Sequence, residues 1–280
     1  MNKFHQLKAP PIFIVGAARS GTTWVHNIFK NHPLVASIYE SWLFTPDHGL
    51  QPLFNEAHNP DGRSGLGNVM VREQRLALVR DLAINIMSNV IEPHHQFLVE
   101  KSPSHVFAVP FIREVFPDSR FIHVIRDGRD VNVSVQAAVN SWMPYWKNSF
   151  GASIRVSASA WKSAVNQFRL QTPSLGQDFI EVRYEEIHAE PVKLYKRMFD
   201  FCEIPYDDRI LADIFQATDF ELNYRGGEDK FRRGGRIGDW RTRFSSLDAL
   251  IFKRVAGDLL IELGYENDYK WLPENKWKLW

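Results

Sequence analysis

A short segment near the start of the chain, Gly16-Ala-Ala-Arg-Ser-Gly-Thr-Thr23, has the composition of an anion-binding loop. Its two glycines are separated by four residues, so backbone N–H groups and the positive end of a following helix would face an anion. An NTPase loop would continue Gly-Lys-Ser/Thr, with the lysine on the terminal phosphates and the hydroxyl on Mg²⁺. Here Thr22 and Thr23 follow the second glycine, and Arg19 supplies a cation inside the loop. These residues fit a phosphosulfate better than a metal-bound triphosphate. The alternative is a strand-to-helix turn whose glycines serve packing only.

Three further polar clusters follow short apolar runs of the kind found in buried strands. They are Glu100–Lys101, Arg126–Asp130 and Arg183–Glu186. In open parallel sheets, ligands bind at the carboxyl ends of the strands. We therefore expect these clusters and the glycine loop to lie at one edge of a sheet, where their cations suit a phosphate ligand.

The elements that must position these residues alternate between strands and helices along the chain. This alternation predicts right-handed crossovers and a central parallel β-sheet flanked by helices. The expected strands are 11–15, 96–99, 120–125 and 178–182, and the expected helices are 24–30, 71–90, 106–115, one starting near 131, and 191–201. Residues 40–67 are expected to be irregular, as a lid or acceptor-binding loop, and residues 223–238 to form a mobile loop. We predict a single α/β domain over residues 1–280 that starts with a P-loop-like strand, loop and helix.

The composition is that of an ordinary globular protein, which excludes disorder over most of the length. The 280 residues include 34 basic and 33 acidic side chains, for a net charge of +1. No general field for nucleic acid results, so any anion must be held by a local site. The single cysteine, Cys202, excludes an intrachain disulfide and a thiolate metal cluster. Without a signal-peptide core or an apolar run of about 18 to 20 residues, we expect a soluble, cytoplasmic protein with no membrane or nucleic-acid partner.

At these motifs the sequence resembles the sulfotransferases that use 3′-phosphoadenosine 5′-phosphosulfate (PAPS). Gly16–Trp24 is similar to the family's loop for the 5′-phosphosulfate. Arg120–Val131 is similar to its 3′-phosphate motif, in which a strand-end arginine, here Arg126, and a serine eight residues later, here Ser134, hold the 3′-phosphate. Gly238-Asp-Trp240 resembles the late loop Arg-Lys-Gly-x-x-Gly-Asp-Trp, which closes over the nucleotide. Three motifs in the same order are far more specific than any one alone.

The resemblance implies a set of residues that bind the donor. Trp24 would stack on the adenine and Tyr184 would lie near its edge, although core packing is the commoner role of an aromatic residue. In the late loop, Gly234 stands where the family often has lysine, and Arg236 is taken to supply that charge. The expected donor-binding residues are Arg19, Ser20, Gly21, Thr22, Thr23, Trp24, Arg126, Ser134, Tyr184, Arg233, Gly235 and Arg236.

The resemblance also implies the catalytic groups. Lys101 resembles the lysine that contacts the bridging oxygen of the donor, and Arg19 would help to offset charge on the leaving group. Two residues compete for the role of general base. His105 is displaced by two residues from the Lys-x-His pattern of the phenol and steroid sulfotransferases, whereas Glu40 follows the phosphate-loop helix, as in the tyrosylprotein and many carbohydrate sulfotransferases. We favour Glu40, and we expect His123, within a strand, to be a hydrogen-bonded core histidine.

We therefore expect an enzyme that moves a sulfuryl group from PAPS to a hydroxyl or amine of a small-molecule, natural-product or carbohydrate acceptor. It would release adenosine 3′,5′-bisphosphate (PAP) and need no metal. The alternatives are a P-loop nucleotide or small-molecule kinase, disfavoured by the missing Gly-Lys-Ser/Thr, and a catalytically silent nucleotide-binding protein. Aromatic residues that would line an acceptor pocket, if they are not core, are Trp42, Phe44, Trp142, Tyr145 and Trp146.

Overall fold

A computed structural model describes residues 3–54, 68–219 and 235–271 of the chain. At its centre lies a five-stranded sheet, all parallel, with the strand order β2-β3-β1-β4-β5. The strands are β1 (Ile12–Gly16), β2 (Val35–Tyr39), β3 (Phe97–Lys101), β4 (Arg120–Ile125) and β5 (Phe179–Arg183). Every residue of β1 and β3 is buried, as expected for strands that helices cover on both faces. The predicted α/β class with a central parallel sheet is confirmed.

Helices cover both faces of the sheet. They are α1 (Thr22–Lys30), α2 (Gln51–Phe54), α3 (Arg72–Met87), α4 (Val109–Val115), α5 (Gly128–Val139), α6 (Ile154–Leu175), α7 (Tyr184–Ala189), α8 (Pro191–Cys202), α9 (Asp208–Thr218), α10 (Trp240–Arg243) and α11 (Ser246–Glu262). Phe13 and Val15 of β1 pack against α3, α6 and α11, whereas Ile12 and Ile14 pack against α1, α8 and α9. This division follows from the alternation of side chains along a strand.

The predicted bounds agree closely with the structure for most of these elements. Strand β4 has the predicted range 120–125, and β1, β3 and β5 begin and end within two residues of their predicted ranges. Helix α5 begins at residue 128, three residues earlier than predicted, because the Asp127 side chain caps it by accepting a hydrogen bond from the Arg129 N–H at 2.9 Å. The predicted helix 106–115 is preceded by a short 3₁₀-helix, Pro103–Phe107, and α4 starts only at residue 109.

Several elements were not predicted from the sequence, namely strand β2 and helices α2, α6, α7, α9, α10 and α11. Strand β2 lies at the edge of the sheet and is only partly buried, so its apolar pattern is weak. Helix α6 spans 22 residues, but it mixes polar and apolar positions and contains Pro173, a residue that argues against a helix interior. Residues 40–50 contain no helix or strand, as predicted, but the short helix α2 lies within the range 40–67 that was expected to be irregular. Residues 55–67 and 220–234, including Arg233, lie outside the described residues, so the loops expected there remain predictions.

At β1, the helices that follow the strands change from one face of the sheet to the other, and this leaves a crevice at the carboxyl end of the strand. Helix α1, which follows β1, packs on one face of the sheet, whereas α4 and α5, which follow β3 and β4, pack on the other. Such a switch point, outside the carboxyl ends of the strands, is where open α/β sheets bind ligands. The glycine loop, Lys101 and Arg126 all lie at this edge.

Candidate active site

The loop between β1 and α1 passes too close to its neighbours for side chains at its two glycines. A Cβ atom at Gly16 would lie 2.5 Å from the carbonyl oxygen of Val124 on β4. A Cβ atom at Gly21 would lie 2.3 Å from the ring of Tyr184, and the φ of 98° at Gly21 is in the left-handed region that glycine adopts readily. Gly21 is also the N-cap of α1. The free N–H groups of the first helical turn are therefore available to an anion at this loop.

A cavity of about 800 Å³ opens beside this loop. Of the predicted donor-binding residues, Ser20 is buried within the loop and does not line this cavity, and Arg233 lies outside the described residues. The others line the cavity together: Arg19, Gly21, Thr22, Thr23, Trp24, Arg126, Ser134, Tyr184, Gly235 and Arg236. The structure thus gathers residues from positions 19 to 236 around one space.

Arg126 and Tyr184 join the loop to the late segment of the chain. The guanidinium carbon of Arg126 lies 4.1 Å from the centre of the Tyr184 ring. Nη2 of Arg126 donates to the carbonyl oxygen of Arg236 at 3.1 Å, and the Tyr184 hydroxyl donates to that of Gly235 at 2.8 Å. Burial raises the pKa of Tyr184, so its hydroxyl remains a hydrogen-bond donor. The late segment therefore closes this side of the cavity through its backbone carbonyls.

Two polar atoms of this region are buried and have no hydrogen-bond partner among the described residues. They are Nε of Arg126 and Oγ of Ser20. A buried polar group is costly unless water or a ligand pairs with it. A guanidinium donor and a hydroxyl beside a helix N-terminus are suited to bind a phosphate or sulfate group.

Arg19 brings a second guanidinium to the same cavity. Its Nε donates to Oγ of Ser134 on α5 at 3.1 Å, and its guanidinium carbon lies 5.3 Å from the centre of the Trp142 ring. Burial and the neighbouring charge of Arg126 lower the pKa of Arg19. Two partly desolvated cations that repel each other are stabilised by an anion between them. Ser134, predicted to hold the 3′-phosphate together with Arg126, is thus linked to Arg19 by a hydrogen bond.

The aromatic residues predicted to contact adenine lie side by side. The rings of Trp24 and Tyr184 are 5.7 Å apart in an edge-to-face arrangement, and His188 packs against Trp24 at 4.8 Å. Both predicted aromatics also pack against the apolar cluster of α1 and α8. They combine the core role and the cavity-lining role that the sequence analysis had treated as alternatives.

Lys101 and Glu40 form an ion pair at the ends of the adjacent strands β3 and β2. Nζ of Lys101 lies 2.6 Å from Oε1 of Glu40 and 3.3 Å from Oγ1 of Thr23, and it lies 3.6 Å from the centre of the Tyr39 ring. The Lys101 side chain is fully buried, whereas that of Glu40 is 30% exposed. Burial lowers the pKa of Lys101, and the contact with Glu40 opposes this shift. The buried ammonium lies behind Thr23 and Glu40, and these two residues line the cavity.

The other candidate base, His105, does not lie at the cavity. Its Nδ1 is 2.8 Å from Oε2 of Glu100, and its Nε2 accepts a hydrogen bond from the Phe44 N–H at 3.1 Å. The ring has no exposed surface and packs in the core beside Phe13. Of the two bases that the sequence left open, the structure brings only Glu40 to the site.

Aromatic side chains form much of the remaining wall. Trp42, Trp142 and Trp146 line the cavity as predicted, whereas Phe44 is buried in the core and Tyr145 is 61% exposed and does not line it. Several other residues of the wall were not predicted from the sequence, namely Asp47, His48, Phe107, Met143 and Phe150. No motif contains these residues, because their side chains come together only in the folded protein. Their proximity in sequence to predicted residues was the only indication of a role.

Asp130 is a functional candidate that the sequence analysis left inside a larger cluster. Its two carboxylate oxygens accept hydrogen bonds from the N–H groups of Gly238, at 2.7 Å, and Trp240, at 3.0 Å. Arg129 adds a cation–π contact to the Trp240 ring, with its guanidinium carbon 3.8 Å from the ring centre. Burial raises the pKa of Asp130, and the two N–H contacts oppose this shift. Asp130 thus anchors the late segment over Arg126.

His123 lies in the core, as predicted, but without the expected hydrogen bonds. Its ring stacks on Phe168 with 4.2 Å between the centres, and neither ring nitrogen has a hydrogen-bond partner within the described parts of the chain. An oxygen of Glu181 lies 4.0 Å from Nδ1. Burial lowers the pKa of His123 to about 3. The prediction of a core position is confirmed, and the prediction of hydrogen bonding is wrong.

Among the described residues, no group of three or more His, Cys, Asp or Glu side chains is placed to hold a metal ion. None of the described helices combines the length and the apolar character that crossing a membrane requires. Metal-independent activity stays a prediction.

This chain is similar in sequence to a family of known proteins. The model of the sulfotransferase family matches residues 10–208. Protein-tyrosine sulfotransferase A of Caenorhabditis elegans is 23% identical over 223 residues, which are 74% of this chain and 56% of the relative. Protein-tyrosine sulfotransferase 1 of Danio rerio is 25% identical over 206 residues, which are 72% and 55% of the two chains. This chain therefore spans about half the length of these curated relatives.

Solved structures share the fold. Mouse sulfotransferase SULT7A1, in complex with PAP, has a TM-score of 0.58 at 15% identity and covers 93% of this chain and 91% of its own. The sulfotransferase domain of the Synechococcus PCC 7002 olefin synthase has a TM-score of 0.56 at 17% identity, with 92% and 97% covered. Since the family model also spans well over half of the chain, this protein belongs to the sulfotransferase family.

Proposed function

We propose that this protein transfers a sulfuryl group from PAPS to a hydroxyl or amine of a small-molecule, natural-product or carbohydrate acceptor and releases PAP. The observation that carries the proposal is the contact of Lys101 with both Glu40 and Thr23. Lys101 and Glu40 come from the ends of β3 and β2, and Thr23 comes from the first turn of α1; together they bring a cation, a carboxylate base and a hydroxyl to the anion loop. Membership of the family, and a structural neighbour that holds PAP, support the choice of donor.

The cavity offers a group that could bind each charged part of the donor. The 5′-phosphosulfate fits the loop before α1, where backbone N–H groups, Thr23 and Arg19 converge. The 3′-phosphate fits Arg126, whose buried Nε has no partner among the described residues. The rings of Trp24 and Tyr184 supply flat surfaces for the adenine.

In the transfer step, the acceptor atom forms a bond to sulfur while the bond between sulfur and the bridging phosphate oxygen breaks. Glu40 takes the acceptor's proton, and the electron pair of the broken bond stays on the phosphate of PAP. Lys101 and Arg19 offset this charge. Protonation of Glu40 also removes the negative partner of Lys101, so the ammonium is released to the leaving phosphate as its charge develops.

The acceptor would lie against the aromatic wall of the cavity. Trp42, Trp142 and Trp146 offer faces for an aromatic ring, for the apolar face of a sugar or for a planar cation. The two curated relatives named above are protein-tyrosine sulfotransferases. A tyrosine-containing peptide therefore belongs in any acceptor screen beside phenols, amines and sugars.

A binding and transfer assay tests the proposal against its rivals. PAP should bind more tightly than ADP by titration calorimetry, and radiolabelled sulfate should pass from PAPS to one or more acceptors of the panel. Transfer of the γ-phosphate of ATP instead would establish the kinase alternative. Tight binding of PAP with no transfer to any acceptor would indicate the catalytically silent alternative.

A further inference from the structure

The segment that carries Glu40 is held from behind by a buried polar network that the transfer step does not use. Five successive backbone N–H groups, from residue 40 to residue 44, each donate a hydrogen bond. The acceptors are the carbonyl oxygen of Lys101 for Glu40 (2.7 Å), Oε1 of Glu100 for Ser41 (3.3 Å), Oγ of Ser102 for Trp42 (3.2 Å), Oγ of Ser41 for Leu43 (3.2 Å) and Nε2 of His105 for Phe44 (3.1 Å). Side chains here replace the ladder bonds that a strand would have made.

Glu100 is the centre of this network. Its Oε1 accepts hydrogen bonds from the hydroxyls of Ser41 at 2.8 Å and Ser102 at 2.6 Å, and its Oε2 lies 2.8 Å from Nδ1 of His105. Burial acts to raise the pKa of Glu100, but the contacts with His105, Ser102 and Ser41 outweigh it and hold this pKa below its usual value. The carboxylate is therefore ionised, and two hydroxyls hold its Oε1.

The contacts of His105 allow only one tautomer. Its Nε2 accepts from the N–H of Phe44, so this nitrogen carries no hydrogen. The hydrogen of the neutral ring is then on Nδ1, which lies 2.8 Å from Oε2 of Glu100. Because the lone pair of Nε2 already accepts the Phe44 N–H, the ring has no lone pair left for the proton of an acceptor.

The network holds a backbone conformation that is unfavourable by itself. Glu40 has a φ of 47° and Trp42 a φ of 53°, both in the left-handed region that residues other than glycine rarely adopt. Such residues persist where the surrounding structure over-determines them, and they cluster at functional sites. Both residues belong to the candidate site, because Glu40 contacts Lys101 and Trp42 lines the cavity.

We infer that Glu100, Ser102 and His105 are positioning residues that fix Glu40 and Trp42 for transfer, and that His105 acts in this way and not as the base. The inference rests on the proposed role of Glu40 as the base. It accounts for the presence of a histidine close in sequence to Lys101 but out of reach of the cavity.

Ser102→Ala is the first test, because it removes one hydroxyl from the network with little change in volume. The Trp42 N–H loses its acceptor and Glu100 loses a donor, so kcat should fall about 10- to 100-fold through misplacement of the base. The dissociation constant for PAP should stay unchanged, since the donor loop is untouched. Ser157→Ala, which removes a buried hydroxyl that contacts Asn132 at 2.8 Å, is the matched control. A folded Ser102→Ala protein with wild-type kcat would overturn the inference.

A double-mutant cycle shows whether the network acts through Glu40. In a Glu40→Gln background, Ser102→Ala should reduce kcat much less than it does alone, because residues that act as a unit are not additive. Losses that multiply in full would mean that the network serves the fold alone.

Two variants of His105 separate positioning from proton transfer. Gln at this position keeps an acceptor near Nε2 for the Phe44 N–H, whereas Phe keeps only the volume. His105→Gln should therefore recover most of the kcat that His105→Phe loses. Equal inactivity of the two folded variants would identify His105 as the base and overturn the inference.

A spectroscopic readout does not depend on any activity. The ¹⁵N spectrum of histidine-labelled protein should show His105 as the neutral tautomer with hydrogen on Nδ1, assigned by its loss in His105→Gln. Glu100→Gln places an amide N–H against this hydrogen and should change the tautomer. If the wild type transfers no sulfuryl group, the proposed function fails while this signal still reports the network. A different tautomer in an active enzyme would refute the network alone.

Discussion

Replacement of Glu40 by glutamine separates the removal of a proton acceptor from damage to the site. The amide has the same shape, and its oxygen still accepts a hydrogen bond from Lys101, whose Nζ is 2.6 Å from Oε1 in the native pair. The hydrogen bond from the ammonium therefore remains, and the attraction between the two charges is what is lost. Since the Glu40 side chain is 30% exposed, this loss should lower the stability by about 1 kcal/mol.

The effect on catalysis should be much larger than the effect on stability. Loss of a general base costs about 10²- to 10⁴-fold in kcat, which corresponds to about 3 to 5.5 kcal/mol in the activation barrier. Binding of PAP should be unchanged or tighter, because the substitution removes a negative charge beside Lys101 at an anion site. The catalytic and binding effects of Glu40→Gln should therefore have different sizes, and PAP binding should not weaken.

Steady-state transfer from PAPS to an aliphatic alcohol or amine is the appropriate assay, because an acidic phenol needs little help from a base. Titration calorimetry with PAP and thermal unfolding complete the measurement. Glu114→Gln is the matched control, since that partly exposed carboxylate also forms an ion pair, in this case with Arg72, and does not line the cavity. Two outcomes contradict the reasoning: a kcat within a few-fold of wild type, or a loss of PAP binding in parallel with kcat.

Three other measurements test separate features of the structure. Arg126→Ala should weaken PAP binding by about 1.5 to 3 kcal/mol, and the loss should shrink for a nucleotide without the 3′-phosphate; an equal loss for both would exclude Arg126 as the 3′-phosphate ligand. His123→Phe should flatten the pH dependence of stability. The pKa of His123 is lowered to about 3 in the folded state, so the histidine of the unfolded state is protonated first as the pH falls. Protonation of the unfolded state lowers the stability of the wild type below about pH 6.5. Between pH 7 and pH 5 the wild type should lose about 2 kcal/mol more of its unfolding free energy than the variant, and identical curves would show that His123 is not buried in its neutral form. Transfer from PAPS should persist in excess EDTA, because the sulfuryl charge is small and the loop lacks the Lys-Ser/Thr of a Mg²⁺-nucleotide site; complete loss that Mg²⁺ restores would contradict the proposed chemistry.

The residues of the proposed donor site were largely predictable from the sequence because they lie in contiguous motifs. A buried strand, a glycine-bounded loop and a helix form one local unit, so Arg19, Gly21 and Thr23 carry their positions with them. Arg126 follows directly from a second buried strand whose bounds were predicted without error. The parallel sheet then brings strand ends together, which is why spacing along the chain was enough to predict that these residues meet.

The positions of the proposed base, Glu40, and of the segment around Gly238 depend on contacts between residues that are distant in the sequence. Glu40 and His105 were both plausible bases by spacing, and the choice between them came from β2 pairing with β3, which places Glu40 on Lys101. Strand β2 escaped prediction because an edge strand with a half-exposed face lacks a strong apolar pattern. Asp130 could be seen as one acid among several, but not as the anchor of Gly238, which lies 108 positions away.

Local patterns in the sequence were enough to predict the fold class, the anion loop and the strand-end cations, because these features depend on apolar periodicity, glycine spacing and helix N-termini within short segments. The carboxylate that faces the cavity, the burial of His105 and the aromatic side chains of the wall became apparent only in the folded protein. These features are set by burial and by hydrogen bonds between segments far apart in the chain. The buried network of Glu100, Ser102 and His105 exists only once β3 and the Glu40 segment have packed against each other.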